Sequence, residues 1–268
     1  MLSPLYGQLS PLRVPTSSPL DSDAIAYIAA VESADGAALE DGVKSAIYNF
    51  VTGCKFDGIW SALKASCILA GARTLNGALV PLVGTAPTNN NFVGGDYNRT
   101  TGLKGNGSSK YINSNRINNI DPQNNRHLSF FVSFAAPAGT TQCYLGAGST
   151  QSGSFNVLGG GADLSARCLS SSGASILGVG QSTGFIGMQR SNSSNFDFRT
   201  SSNTSNFAQV SQTPLNANLG VFTAIRTTGP IFYTSARLNF YSIGESLDLA
   251  KLDTRVSTLM TALAAAIP

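Results

Sequence analysis

Cleavage of a polysaccharide requires two carboxyl groups that flank one glycosidic bond, so the acidic residues are the first place to look for chemistry. Between Asp41 and Glu245 the chain contains no glutamate, and its aspartates stand alone. These isolated acids are Asp57, Asp96, Asp121, Asp163 and Asp197. No acid pair is present, and we therefore expect a protein that is not an enzyme, with no catalytic residues.

A second pattern with chemical meaning is Gly-x-Ser-x-Gly, which runs from Gly180 to Gly184 with Ser182 at its centre. In esterases this pattern places a nucleophile between a strand and a helix. Here only strand-like sequence follows it. His127 is the sole histidine and would have to act as the base, yet it lies at the head of a predicted central strand. We interpret the pattern as a turn.

Metal and redox chemistry have equally little support. The four cysteines are far apart and form no Cys-x-x-Cys pair: Cys54, Cys67, Cys143 and Cys168. Two disulfides are allowed by number, but the lack of an export signal favours buried free thiols. One histidine and isolated aspartates do not make a recognisable metal site. We expect no cofactor and no metal, with calcium held by Asp96 or Asp121 and backbone oxygens as the alternative.

An uncharged surface for sugar binding is the remaining candidate site. Amide side chains donate and accept hydrogen bonds to hydroxyl groups, and aromatic rings pack on sugar faces. The residues that combine these properties are Tyr97, Tyr111, Asn113 and Asn115. The alternative is that they belong to ordinary Asn-rich turns.

Composition restricts the partners. Charged residues make up 12% of the 268 residues, against roughly 25% in ordinary soluble domains. The net charge is +3 and the basic residues are scattered, so nucleic acid is not an expected partner. No apolar run is long enough for membrane insertion, and the start of the chain does not resemble a secretory signal. We expect the protein to be made in a cytosol.

The elements that would position these residues change character along the chain. Residues 1 to 20 carry four prolines and predict an extended, apolar arm that docks on a neighbour, with a frayed terminus as the alternative. Residues 21 to 83 predict a helical subdomain. Its first helix would be capped by Ser22, and its third would follow Asp57, with Ile59, Leu63 and Cys67 on one face.

Residues 84 to 245 predict a β-sandwich built around Leu128 to Phe134. In this segment Leu128, Phe130, Val132 and Phe134 alternate with Ser129, Phe131 and Ser133, which is the period of a strand. Short apolar runs separated by polar turns continue throughout and include Phe92 to Val93. The Asn-rich tracts at 89–91, 113–125 and 192–206 predict loops.

Residues 246 to 268 return to a helical pattern. Leu252, Val256, Leu259, Leu263 and Ala266 follow a four-three spacing that gives one apolar face. The sequence leaves two partners open for this face. The helix docks either on its own sandwich or on symmetry mates.

Three segments carry a resemblance to a known family. The first runs from Gly94 to Gly107, Gly-Gly-Asp-Tyr-Asn-Arg-Thr-Thr-Gly-Leu-Lys-Gly-Asn-Gly, and continues to Lys110-Tyr111. The second runs from Arg237 to Asp248, Arg-Leu-Asn-Phe-Tyr-Ser-Ile-Gly-Glu-Ser-Leu-Asp. The third begins at Asp57-Gly58-Ile59-Trp60 and ends at Leu82-Val83-Gly84. Together they resemble the concanavalin A-like, laminin-G-like domains of bacteriophage virion proteins, tail fibres above all.

The resemblance implies a mainly β fold, an antiparallel jelly-roll sandwich with an N-terminal helical subdomain and a short C-terminal helix. It also implies a virion protein, made in the host cytoplasm, that forms a homotrimer and contacts other virion proteins through its arm and helices. The implied function is a tail fibre or appendage that recognises a host surface glycan. A capsid decoration protein is the alternative, and a polysaccharide-degrading enzyme is a third. Members that cleave polysaccharide place two acids on one strand, which this chain lacks.

Overall fold

The computed structural model describes residues 20–200 and 202–268, so the predicted arm at residues 1 to 20 lies outside it except for Leu20. Over the described residues the protein is a sandwich of two antiparallel sheets with helices at both termini, which confirms the predicted fold class. The strands are Leu63–Ile68 (β1), Thr88–Asn90 (β2), Tyr97–Asn98 (β3), Gly102–Lys104 (β4), Tyr111–Ile117 (β5), Arg126–Phe134 (β6), Gln142–Ala147 (β7), Phe155–Gly159 (β8), Leu164–Cys168 (β9), Ala174–Ile176 (β10), Gly184–Arg190 (β11), Asn195–Thr200 (β12), Asn203–Ala208 (β13), Asn218–Val221 (β14), Ala224–Arg226 (β15), Gly229–Ile231 (β16) and Arg237–Gly244 (β17).

Each sheet combines runs of consecutive strands, such as β11-β12-β13 and β7-β8-β9-β10, with strands that are far apart in the chain. One sheet has the order β13-β12-β11-β6-β17-β4-β3, and β1 also pairs with β17. The other has the order β10-β9-β8-β7-β14-β5-β2, with β15 beside β7 in a short parallel pairing and β16 beside β15. Most neighbouring strands are thus distant in sequence. Any site on these sheets is assembled from separate parts of the chain.

Strand β6 is central, as its alternation predicts. It lies between β11 and β17, and Leu128, Phe130 and Val132 are fully buried between the sheets. Phe130 stacks on Tyr144 of the opposite sheet with ring centroids 5.2 Å apart. Burial of each large apolar side chain in this core stabilises the fold by about 2 to 3 kcal/mol. Phe134 departs from the prediction, because 59% of it is exposed instead of lying in the core.

The helical segments are Ser22–Asp35 (α1), Asp41–Phe56 (α2), Leu75–Ala78 (α3) and Leu249–Ala266 (α4), with 3-10 turns at Trp60–Ala62 and Gly94–Asp96. The cap of α1 is Asp21 rather than Ser22, since the Asp21 carboxylate accepts hydrogen bonds from two backbone amides of the first turn. Helix α2 buries one apolar face, and Phe50 of that face meets Phe240 of β17 edge-on at 5.8 Å.

The predicted third helix is wrong. The segment after Asp57 forms the 3-10 turn and then β1, which pairs with β17. Leu63 and Ile68 pack with the helices, whereas Ala65 and Cys67 face the core between the sheets. A strand buried on both faces has no polar alternation, and its apolar residues also fit a helical spacing.

Helix α4 docks on its own chain, which selects one of the two predicted alternatives. It packs on α2 and on the sheet beside β11. Its buried stripe includes Leu252, Val256, Leu259 and Leu263. No helix among the described residues is long and apolar enough to cross a membrane. The division of the chain at residues 84 and 246 stays a prediction.

The Asn-rich tracts are not simply loops. Tract 89–91 overlaps β2, tract 113–125 begins inside β5, and tract 192–206 contains most of β12 and β13. Strands β2 and β13 are polar edge strands, and such strands lack the alternation that a buried face imposes. The strand predicted at Phe92 to Val93 is absent there, because that segment leads into the second 3-10 turn. The four cysteines are free and buried, as predicted.

Candidate functional site

A change of register between β6 and β17 shapes an open cleft at one end of this strand pair. Leu238 of β17 is paired with Val132 of β6, but the next pair is Arg237 with Phe134. Ser133 is therefore an extra residue in β6, which is the definition of a β-bulge. A bulge reverses the side to which the following side chains point. This explains why Phe134 faces solvent while Val132 stays in the core.

Strand β4 extends the same row on the other side of β17. Arg237 is paired with Lys104, and Leu238 with the fully buried Leu103. Directly paired residues of antiparallel strands lie side by side on one face. Phe134, Arg237 and Lys104 therefore form a row across three strands, which we call the cleft row.

The cleft row borders an open cleft of about 510 Å³, within the size range typical of small-molecule sites. Thr101, Lys104, Phe134, Ala135, Pro137, Ser235 and Arg237 line it. None of these lining residues is acidic. The cleft thus combines an exposed aromatic ring with two cationic side chains.

Hydrogen bonds hold the cleft row in place. The hydroxyl of Ser133 donates to the carbonyl of Thr101 at 2.6 Å, so the bulge is tied to the turn before β4. Arg237 donates through Nη1 to the carbonyl of Gly102 at 2.6 Å. Gly102 has a φ of 87°, and a Cβ there would collide with the carbonyl of Leu238. Glycine is required at this position for β4 to approach β17.

The positive charge of the cleft is not cancelled by the nearest acid. Asp96 receives Lys110 Nζ at 2.6 Å on each carboxylate oxygen. Burial alone would raise the pKa of Asp96, but the hydrogen bonds from Lys110 and Val93 outweigh it and keep the pKa lowered. Desolvation lowers the pKa of Arg237. Among the described residues, neither Lys104 nor Arg237 takes part in a salt bridge; the ion pair of Asp96 is with Lys110.

The structure separates the four residues predicted for glycan binding. Tyr97 is at the edge of one sheet, and its hydroxyl donates to the carbonyl of Ala72 at 2.8 Å. Tyr111, Asn113 and Asn115 follow one another on β5 of the other sheet.

Several groups of this β5 set make contacts within the chain itself. Tyr111 packs edge-on against Tyr233, with centroids 6.0 Å apart. The Asn113 side chain accepts the Asn115 amide at 3.0 Å, and Asn115 Nδ2 donates to Ala86 O at 2.9 Å. The four residues stay a prediction, and they do not form one surface.

Tyr97 also borders a second cleft, of about 550 Å³, whose arginines already have partners. Arg99 binds the Glu40 carboxylate with both terminal nitrogens, at 3.0 and 2.6 Å, and Arg73 lies 3.2 Å from it. The hydrogen bond from Arg99 lowers the pKa of Glu40 to about 2. These cations neutralise an internal acid, whereas those of the cleft row do not.

The sole histidine lies at the other end of β6, fully buried. Its Nδ1 lies 2.5 Å from the carbonyl of Glu245 and its Nε2 lies 2.7 Å from Ser242 Oγ. Desolvation lowers the pKa of His127 to about 4, so the ring is neutral. Ser182 lies in the turn before β11, its amide bonded to Val179 O. The structure pairs His127 with Ser242 and not with Ser182.

Comparison with known proteins supports the fold without naming a family. No family model matches the chain, and no curated protein matches it. Among solved structures, the botulinum neurotoxin serotype D binding domain is similar, with a TM-score of 0.50 and 10% identity over 74% of this chain and 50% of that chain.

Two mutants described as HCR/D match with TM-scores of 0.45 and 0.48, each at 10% identity. They cover 74% and 72% of this chain and 51% of theirs. The chain thus spans about half the length of the solved structures that it matches. At such low identity the likeness of the neurotoxin domain extends to the β-sandwich fold alone.

Proposed function

We propose that the chain is a recognition module that binds a host surface glycan in the cleft bordered by Phe134, Arg237 and Lys104. The observation that carries this proposal is the exposed ring of Phe134, turned out of the core by a bulge and placed beside two cations. Bulges recur next to functional sites because they re-aim a side chain. An aromatic face packs on the apolar side of a sugar ring, while flanking donors bind its oxygens.

We further propose that the module acts without catalysis and without a cofactor. The isolated aspartates of the sandwich are engaged by their own surroundings: Asp96 by Lys110, Asp121 by Arg116, and Asp197 by Gln189 and Asn206. A glycosidase needs two carboxyl groups across one bond. No described acidic residue lines the cleft.

The biological setting that we propose is a bacteriophage virion, with the module on a tail fibre or tail appendage. The support is the resemblance of the Gly94 to Gly107 and Arg237 to Asp248 segments to concanavalin A-like virion domains, together with the low charged fraction of 12%. In this proposal the chain forms a homotrimer and attaches to other virion proteins through residues 1 to 20 and its helices. The neurotoxin domain with the same fold is itself described as a binding domain.

A glycan array that includes bacterial polysaccharide repeats tests the recognition function. The native protein is expected to bind a restricted set of glycans, and Phe134→Ala is expected to lose roughly tenfold or more in affinity for them. Phe56→Ala is the matched control, since Phe56 is 88% exposed at the end of α2 and does not line the cleft. No bound glycan, or equal binding by native protein and Phe134→Ala, would contradict the proposal.

The proposed place on a virion is tested by electron microscopy. Phage particles that contain the protein are labelled with a gold-conjugated antibody raised against it. Label at the tail supports a fibre or appendage. Label spread over the shell would instead indicate the capsid decoration protein. Release of reducing ends from host envelope polysaccharide would overturn the noncatalytic part of the proposal.

A further inference from the structure

We infer that the ligand of this cleft carries a carboxylate group, as in a glycan that contains uronic or sialic acid. The inference rests on the proposed recognition function and specifies its ligand. It follows from the unused edge of one guanidinium group. Arg237 donates through Nη1 to Gly102 O at 2.6 Å and to Asp96 O at 3.4 Å. No acceptor among the described residues receives its Nε or Nη2.

In two other arginines of this protein, the edge formed by Nε and Nη2 binds a carboxylate. Arg255 donates Nε at 2.7 Å and Nη2 at 3.0 Å to the two oxygens of Asp57. Arg116 presents Nε and Nη2 to Asp121 in the same way, with Nε at 2.9 Å. The planar fork of arginine matches the two oxygens of a carboxylate. Arg237 lines an open cleft that has no acidic lining residue, and the carboxylate of the neighbouring Asp96 is bound by Lys110.

The buried arginines serve as a contrast. Arg126 and Arg190 are fully buried and direct their nitrogens to backbone carbonyls, as shown by Arg190 Nε and Nη2, which both donate to Cys168 O. Their donors are satisfied inside the protein. Arg237 is only half-buried and holds its position with one nitrogen, which leaves two parallel donors for a ligand.

Lys104 adds a second positive charge at the same place. It is exposed, it is paired in register with Arg237, and it has no ion pair among the described residues. Asp96 is occupied by Lys110. A neutral sugar would leave both charges to water, whereas an acidic sugar gains charge-assisted hydrogen bonds from both.

The order of the cleft row sets the orientation of the ligand. Phe134 and Lys104 flank Arg237 on the two neighbouring strands. Because strands lie about 4.8 Å apart, the row spans roughly 10 Å, the scale of a disaccharide. The sugar ring would pack on Phe134 and direct its carboxylate to Arg237 and Lys104. Two cations are too few for the continuous phosphate contacts of nucleic acid.

The test uses paired oligosaccharides on one array and in solution. Each glucuronic acid or sialic acid oligosaccharide is compared with its carboxyl-reduced form, in which the carboxylate becomes a hydroxymethyl group. Acidic members are expected to bind at least roughly tenfold more tightly than their reduced partners. The uronic and sialic arms identify which acidic sugar is recognised.

Lys104→Gln removes a charge without removing any hydrogen bond of the described residues. It is expected to weaken binding of the acidic member severalfold and to leave the reduced member unchanged. Arg237→Lys keeps the charge but not the fork, and is expected to cost roughly tenfold for the acidic member. Lys251→Gln on α4 is the matched control and should leave both affinities unchanged.

The outcomes separate this inference from the proposed function. If the acidic and reduced members bind equally and Phe134→Ala loses affinity for both, the inference of a carboxylate ligand is wrong, but the proposal of glycan recognition is supported. Binding to neither member and to no other glycan would overturn both. Equal binding of a single-stranded oligonucleotide and of the acidic glycan would show a general anion site and would overturn the inference as well.

Discussion

Strands β6 and β17 run side by side, and the two ends of this pair have opposite character. At one end the register is regular, and His127 is sealed between Ser242 and the carbonyl of Glu245. At the other end the bulge turns Phe134 outward beside Arg237. One strand pair thus carries a closed polar network and an open cleft. Accessibility here follows register, because regular pairing keeps side chains on the covered face, whereas Phe134 comes after an extra residue of β6 and points outward.

The closed end is a complete hydrogen-bond chain. A carbonyl can only accept, so His127 donates its Nδ1 proton to Glu245 O, and the neutral ring accepts the Ser242 hydroxyl at Nε2. Ser242 Oγ lies 3.1 Å from Ser129 Oγ and continues the chain. A serine next to a histidine has the geometry of an activated nucleophile. All three side chains are fully buried, so these hydrogen bonds contribute to the stability of the sandwich.

Replacing the histidine should produce the largest effect. His127→Ala opens a cavity, removes the partner of the Glu245 carbonyl and leaves Ser242 with Ser129 alone, and we expect it to lower the free energy of unfolding by about 3 kcal/mol or more. Phe134→Ala, on the same strand, should change it by less than about 0.5 kcal/mol. Urea denaturation of both variants measures the contrast. Similar losses at the two ends would mean that the cleft is part of the core.

Acid should destabilise the closed end specifically. Burial lowers the pKa of His127 from 6.5 to about 4, so the unfolded chain binds the proton more readily. The stabilisation is therefore complete above pH 6.5 and is lost as the pH falls toward 4. At pH 4.5 the loss should reach roughly 2 to 3 kcal/mol. Unfolding measured from pH 7.5 to 4.5 checks this value.

The control for acid is His127→Gln, which should show a nearly flat profile over the same range. Carboxylates with lowered pKa values, such as Glu40 at about 2, lose their stabilisation only at lower pH. A native profile as flat as that of His127→Gln would contradict the neutral buried ring.

Sequence patterns predict the closed end of β6 better than the open end. The alternation from Leu128 to Val132 identifies the inward face because burial imposes a period of two on a regular strand. It fails at Phe134, because the bulge depends on pairing with residues of β17 far along the chain. The same limit applies to β1, whose burial on both faces comes from contacts that are absent from its local sequence.

The sequence predicts the chemistry of the proposed site but not the residues that form it. Tyr97, Tyr111, Asn113 and Asn115 fit sugar chemistry by composition, and the structure commits most of their polar groups to the chain itself. Lys104, Phe134 and Arg237 come from strands that are remote in sequence. No spacing relates them, so they meet only through the strand order of the sheet. Lys104 ends β4 and Arg237 begins β17, and the local sequence of neither strand reveals that the two pair.

Two serines of β6 should have a smaller effect on stability than His127, and they test the comparison between the two ends directly. Ser133 ties the bulge to Thr101 O at 2.6 Å, and Ser129 belongs to the closed network at the other end. Ser133→Ala and Ser129→Ala should each cost about 1 kcal/mol of unfolding free energy, since each removes one hydroxyl donor; that of Ser133 is shared between Thr101 O and, at 3.3 Å, Arg237 O. Only Ser133→Ala should also weaken glycan binding, severalfold, because the bulge that orients Phe134 loses its anchor. If the two variants bind glycan equally well, the bulge has no role in glycan binding, and the exposure of Phe134 needs another explanation.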